Sequence, residues 1–207
     1  MLCQYPNLNE SPNPEGLVSH RIRRLNLEDM PLPLAEALAP RVTRLGYLGE
    51  WFRCAAHAPE VLLAFQTFTD ALKDAVSARV AEAVVLTVAT ELGNDYERNQ
   101  HERLSMRTGY GQDWIAEVEA RDPDAAVLMS ARERAAQRFA LAVLRTRGTA
   151  THAEFEALLD HFQPDEAIAI AMLVGRYFTH SIGVHALRLA PPVPSIFEDR
   201  FDPLEAR

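Results

Sequence analysis

An all-α domain built as a multi-helix bundle is expected from three features of the chain. Apolar side chains recur at helical spacing through most of its length. Polar residues with the Ser/Asn/Thr-x-x-Glu spacing of helix starts punctuate it. No strand-length segment alternates cleanly between turn residues, and no Asn-Gly or Asp-Gly hairpin signal joins two apolar runs.

The elements follow in order. Residues 1–30 hold Pro6, Pro12 and Pro14 among Asn, Ser and Glu with few large apolar side chains, so they read as an extended arm. The first helix carries the stripe Leu34, Leu38, Val42, Leu45, Leu48 and Phe52, with Pro40 placed to break or kink its first turns. A second helix follows Pro59, whose missing N–H is harmless in a first turn, and its stripe is Leu62, Phe65, Phe68 and Leu72. Ser77 caps a third helix that runs to Leu92 and stops at Gly93. Asn94 and Glu97 have capping-box spacing and open a fourth helix ending near Gly109. A short helix from Gln112 to Ala120 ends before Pro123. Ser130 with Glu133 opens a helix that Gly148 ends, and Thr151 with Glu154 opens one closing near Phe162. The last helix begins at Pro164, passes Ile168, Met172, Tyr177 and Ile182, and stops by Pro191-Pro192. The helical domain is therefore 31–190, and 191–207, with Pro194 and Pro203, is a tail along a surface or a neighbouring subunit.

Composition restricts the function classes. The 207 residues are 48% hydrophobic and 24% charged, as in a soluble globular domain. A formal charge of -8 argues against a nucleic-acid partner or an anionic membrane surface, and the one basic patch, residues 20–24, is short. The small-apolar runs at 81–89 and 167–175 are about half the ~20 residues of a membrane span, so no membrane association is expected. Cys3 and Cys54 are too far apart for a CxxC pair or a local zinc site, and the N-terminus lacks the basic-then-apolar order of a secretory signal. A cytoplasmic location fits both. His180 and His185, five apart, do not share a helical face as metal ligands would; no metal and no cofactor are expected.

Glu82 is the only charged residue between Arg79 and Glu91 in the apolar helix VAEAVVLTVATELG. An unpaired carboxylate in such surroundings costs several kcal/mol, so it is paired or has its pKa pushed up toward the range useful for proton transfer. Alternatively, Glu82 lies near the helix start and reaches solvent or Arg79. His101 follows in the next helix. If the two helices pack antiparallel across Gly93-Asn94, the two residues differ in depth by ~7 Å at 1.5 Å rise per residue, which leaves a direct hydrogen bond or a bridging water open.

The stretch RVAEAVVLTVATELGNDYERNQHERLSMRTG resembles the central motif of the carboxymuconolactone decarboxylase and alkyl hydroperoxidase D-like family. That motif has a Glu in an apolar helix, a CxxC turn, a His after the second Cys and a Gly ending its helix. Here Glu82, His101 and Gly109 match, and Asn94 and Glu97 stand where the cysteines would be. HAPEVLLAFQTFTDAL at 57–72 resembles the family's preceding helix, and the likeness spans roughly 34–190.

The resemblance implies a homo-oligomer, a trimer or hexamer, acting on a small-molecule substrate. Peroxidase members attack peroxide with the CxxC thiolate, a role that Asn94 and Glu97 cannot fill, which argues against thiol peroxidase chemistry here. Decarboxylase-type members lack those cysteines. By that likeness the expected activity is a Cys-independent lyase or isomerase on a small oxygenated acid or lactone. In it His101 moves the proton, Glu82 orients and recharges it, and Tyr96, Asn94, Glu97 and Arg98 contact substrate. A non-catalytic ligand-binding or assembly protein on the same scaffold is the alternative. Individual residues also have plainer readings: Tyr96 packed under the turn with its hydroxyl in water, Glu97 as capping-box partner, and Arg98 solvated. Arg176, Tyr177 and His180 read either as lining of the same cavity, which the family's last helix covers, or as packing and interface residues.

Overall fold

A computed structural model describes residues 21–199 and 201, and the described residues are helical with no strand. The first twenty residues of the expected arm, Cys3 among them, and Pro203 in the tail lie outside the described residues. Among the described residues, ten α-helices follow a short 3-10 turn at Leu27–Asp29. They are α1 (Leu32–Leu45), α2 (Glu50–Ala55), α3 (Pro59–Ala75), α4 (Ala78–Glu91), α5 (Asp95–Arg107), α6 (Gln112–Ala120), α7 (Ala131–Thr146), α8 (His152–Leu159), α9 (Pro164–Leu187) and α10 (Ile196–Asp199).

Helix α4 is the axis of the fold. Every residue from Val80 to Ala89 is buried, because α5, α6, α7 and α9 enclose it on all sides. Val84, Val85 and Leu86 have no exposed surface, and each such side chain contributes about 1.5–3 kcal/mol. The main core joins α4 to α7, α8 and α9 through Val84, Val88, Phe139, Leu158 and Ile170. A second cluster joins α4 to α6 through Leu86, Trp114, Ile115 and Val118. A third lies under α1 and α2, where Leu34, Leu38, Phe52 and Leu62 meet Met30.

The single first helix expected through Phe52 is two helices. Gly46 ends α1 at φ 79°, a left-handed conformation that glycine adopts without strain, and α2 starts four residues later. Helix α1 nevertheless runs through Pro40 without ending. Pro40 and Glu36 are both exposed, so the carbonyl freed by the proline faces water. On α3 the buried face is Leu62, Gln66, Thr69 and Leu72, whereas Phe68 of the expected stripe is exposed. Polar groups replace it because this face meets a buried arginine of α9, described below.

Ser130 and Glu133 form both halves of their capping box. Ser77 and Thr151 precede their helices as expected, but neither side chain makes a capping hydrogen bond. Helix α9 is 24 residues long and, among the described residues, the one helix apolar enough by length and composition to cross a membrane. Its apolar stretch is longer than the run at 167–175 suggested. One face, including Ala167, Ile170, Val174 and Tyr177, is core in this bundle.

Candidate active site

Helix α5 is polar in sequence yet largely buried: Tyr96, Glu97, Asn99, His101, Glu102 and Ser105 are all enclosed. Buried polar groups require partners. Outward, Asn99 donates to the Val193 carbonyl at 2.9 Å, Arg103 to the Pro194 carbonyl at 2.8 Å, and Glu102 accepts from Ser195 Oγ at 2.7 Å and Ile196 N–H at 2.8 Å. The segment after α9 is thus strapped along the outside of α5.

Inward, α5 carries the candidate chemistry. Nδ1 of His101 lies 2.6 Å from Oε2 of Glu82, a direct hydrogen bond from α5 to α4. The axial offset of ~7 Å that helix depth alone implies is taken up by the length of the two side chains, and no bridging water is needed. Arg79, the other partner considered for Glu82, instead pairs with Glu133 at 3.0 Å. Nε2 of His101 lies 3.5 Å from Glu97 Oε1. The same Glu97 oxygen accepts from Arg176 Nη1 at 3.4 Å, and its Oε2 is 3.7 Å from His180 Nε2. Arg176 Nε donates to Thr69 Oγ1 at 2.9 Å, and its guanidinium lies over the Tyr177 and Phe65 rings.

These groups set one another's charge. Burial works against the charged form of His101, but Glu82 and Glu97 on its two nitrogens raise its pKa above the ordinary histidine value. Burial likewise opposes ionisation of Glu97, yet His180, His101 and Arg176 hold its carboxyl well below the usual range. Glu82 and Glu97 thus alternate with His101 and Arg176 in one buried chain of contacts. Burial, with Arg176 and His101 nearby, lowers His180 to about 4 against the pull of Glu97, and that ring is neutral at pH 7.

Glu97, His101, Arg176, Tyr177, His180 and Tyr96 line one cavity of about 90 Å³, with Arg41, Thr69, Lys73 and Arg107 among the rest of its wall. Glu82 stands behind His101 and does not line it. The cavity is therefore lined by an imidazole whose Nδ1 is held by a carboxylate behind it and whose Nε2 is near Glu97, itself a lining residue. An imidazolium so held can deliver a proton and be recharged through Glu82. A larger open groove of about 490 Å³ near Arg79, Tyr110 and Trp114 contains no histidine.

The residues read from the sequence divide into two groups. Glu82, His101, Tyr96 and Glu97 are brought together. Tyr96 hydroxyl accepts from the Trp51 backbone N–H at 3.2 Å and is buried, not bathed in water. Glu97 forms only half of the expected capping box: its N–H bonds Asn94 Oδ1 at 3.3 Å, while its carboxylate turns inward to Arg176. Asn94 and Arg98 do not reach the cavity. The Asn94 side chain is used as the α5 cap, and Arg98 points away to Asp95 at 2.9 Å and Glu102 at 3.2 Å. Of the two readings of Arg176, Tyr177 and His180, cavity lining is the one the structure shows, and Arg41, Lys73 and Arg107, which sequence reasoning did not single out, share the wall with them. For Arg107 a signal existed: Glu97, His101, Leu104 and Arg107 form an i, i+4, i+7, i+10 stripe on one face of α5.

No protein-family model matches the sequence, and no curated protein matches it. Solved structures do. One is described as an alkylhydroperoxidase AhpD core, an uncharacterized peroxidase-related protein from Ralstonia eutropha JMP134, with TM-score 0.69 and 22% identity over 84% of this chain and 94% of that one. A cysteine-to-alanine variant of the debrominase Bmp8 in complex with 2,3,4-tribromopyrrole gives TM-score 0.73 and 16% identity over 84% and 93%. An uncharacterized peroxidase-related protein from Silicibacter sp. TM1040 gives TM-score 0.71 and 17% identity over 86% and 94%.

Proposed function

On the AhpD-like fold that this chain adopts, we propose a Cys-independent lyase that decarboxylates a small oxygenated acid or lactone by proton transfer from His101. The observation that carries it is the Glu82–His101 contact of 2.6 Å, with His101 on the cavity wall and Glu82 behind it. Loss of carboxylate leaves a carbanion-like carbon that must be protonated. An imidazolium supplies that proton, the two carboxylates at its nitrogens raising its pKa, and Glu82 keeps the ring oriented while it is recharged. Tyr96 and Arg176 supply hydrogen-bonding and positive charge at the wall. A cavity of about 90 Å³ suits a small molecule, since sites for drug-sized ligands span about 300–1,000 Å³.

Thiol chemistry has little to work with here. Cys54 is buried against Tyr96, Val184 and Leu189, does not line the cavity, and has its thiol pushed up by burial.

The test is a screen of lactones and β-keto acids for carbon dioxide release by the wild type, Glu82→Gln and His101→Ala, with peroxide consumption followed in parallel. Release above the buffer blank is expected from the wild type, with a loss of about 10²–10⁴-fold in the variants and no peroxide turnover. Full activity in both variants would sink the proposal.

A further inference from the structure

The chain has 21 basic residues, of which 20 are arginines and one, Lys73, is a lysine. That lysine, on the last turn of α3, lines the same cavity as His101, Glu97 and Arg176. Arginine serves every purely electrostatic need in this sequence, and what lysine adds is an amine that can lose its proton and form a covalent bond to carbon. The geometry points to Lys73 as the nucleophile that forms a Schiff base with the keto carbon of a small 3-oxo acid, an inference that rests on the lyase reading above.

Its surroundings favour the neutral amine. Burial lowers the Lys73 pKa; Glu82 and Glu97 oppose this, while Arg176 and Arg41 add to it. The titratable groups that share its cavity wall or act on its charge are Arg41 from α1, Glu82 from α4, Tyr96, Glu97, His101 and Arg107 from α5, and Arg176, Tyr177 and His180 from α9. Among the described residues Lys73 has no ion-pair partner, which separates it from Arg176, held by Glu97 and Thr69.

The chemistry balances without an oxidant or reductant. The Lys73 nitrogen forms a C–N bond to the keto carbon, and the carbonyl oxygen leaves as water with one proton from the amine and one from His101. The C–C bond to the carboxylate then breaks, its electron pair passing into the iminium to give an enamine, and carbon dioxide departs. His101, recharged, protonates the enamine carbon. Water hydrolyses the iminium, releasing the ketone and a proton and restoring the amine, so one proton is consumed per carbon dioxide released.

A chain with a single lysine makes the test direct, since the α-amino group is the only other primary amine. The wild type is incubated with acetoacetate or oxaloacetate, treated with sodium borohydride, and analysed by intact mass and peptide mapping. Carbon dioxide release is measured on the wild type, Lys73→Arg and Lys73→Met, with circular dichroism confirming the fold of each variant. The expected result is a borohydride-dependent adduct on Lys73 that carries the reduced skeleton of the acid or its ketone, with release in both variants falling to the buffer blank. Absence of an adduct on the wild type overturns the proposal. Release that persists in folded Lys73→Arg and still depends on His101 also overturns it while leaving the lyase reading standing. An adduct on Lys73 without carbon dioxide release would uphold the amine–carbonyl bond and remove the lyase reading instead.

Discussion

His180 shows how a side chain's charge state depends on what encloses it. Its ring is 2% exposed, stacks edge-on to Trp51 at 4.8 Å, and has an Nδ1 with no partner among the described residues. Its pKa falls from 6.5 to about 4 on folding, mainly through burial. Between these values the unfolded chain binds a proton that the folded chain refuses, so stability drops as pH falls through that window, by about 3 kcal/mol in all. His101 has the opposite sign. Its raised pKa adds stability that is complete below the ordinary histidine value and is lost only as pH rises through the folded value. Glu97, held low, keeps its contribution until pH falls further still. Urea unfolding at pH 7 and pH 4 should therefore show a larger acid loss in the wild type than in His180→Asn, and parallel losses would refute this assignment.

Helix α9 approaches α2 so closely at Gly183 that a Cβ there would lie 2.0 Å from the Trp51 ring. Gly183→Ala gains about 1 kcal/mol of helix propensity but forces an indole against packed neighbours, which costs about 1–3 kcal/mol or more. At so short a distance the clash prevails. A lower urea midpoint with altered tryptophan fluorescence is expected, and a stabilised variant would contradict this packing. The same helices show what the sequence could and could not reveal. The start at Ser130 was readable because capping is chemistry among residues three apart, and the start at Pro164 because a proline fits a first helical turn. The break between α1 and α2 was hidden because Leu48 and Phe52 carry on the apolar spacing of Leu34 and Leu38 across Gly46, and periodicity cannot see one left-handed residue. Glu82 and His101 stood out as a lone charge in an apolar helix and a histidine at a familiar spacing. Arg176 and His180 could be named only through the family likeness, and Lys73 not at all, since only the packing of α3 and α9 brings them to the cavity.

On the molecule's outside, α9 presents Ile168, Met172, Phe178 and Ile182, all about half exposed, on the face opposite its core residues. A continuous apolar stripe of this kind marks a contact surface, and we expect it to be covered in a homo-oligomer, a trimer or hexamer. Sedimentation at micromolar concentration should give an assembly for the wild type and a folded monomer for Met172→Glu/Ile182→Glu; a monomeric wild type would refute it. The strap over α5 bears on how such a molecule is made. The groups that grip the outer face of α5 at Asn99, Glu102 and Arg103 come from Val193 to Ile196, as much as 94 residues further along the chain. During synthesis the ribosome emits α4 and α5 well before those residues emerge, so the outer face of α5 stays unclamped until the intervening helices have been made.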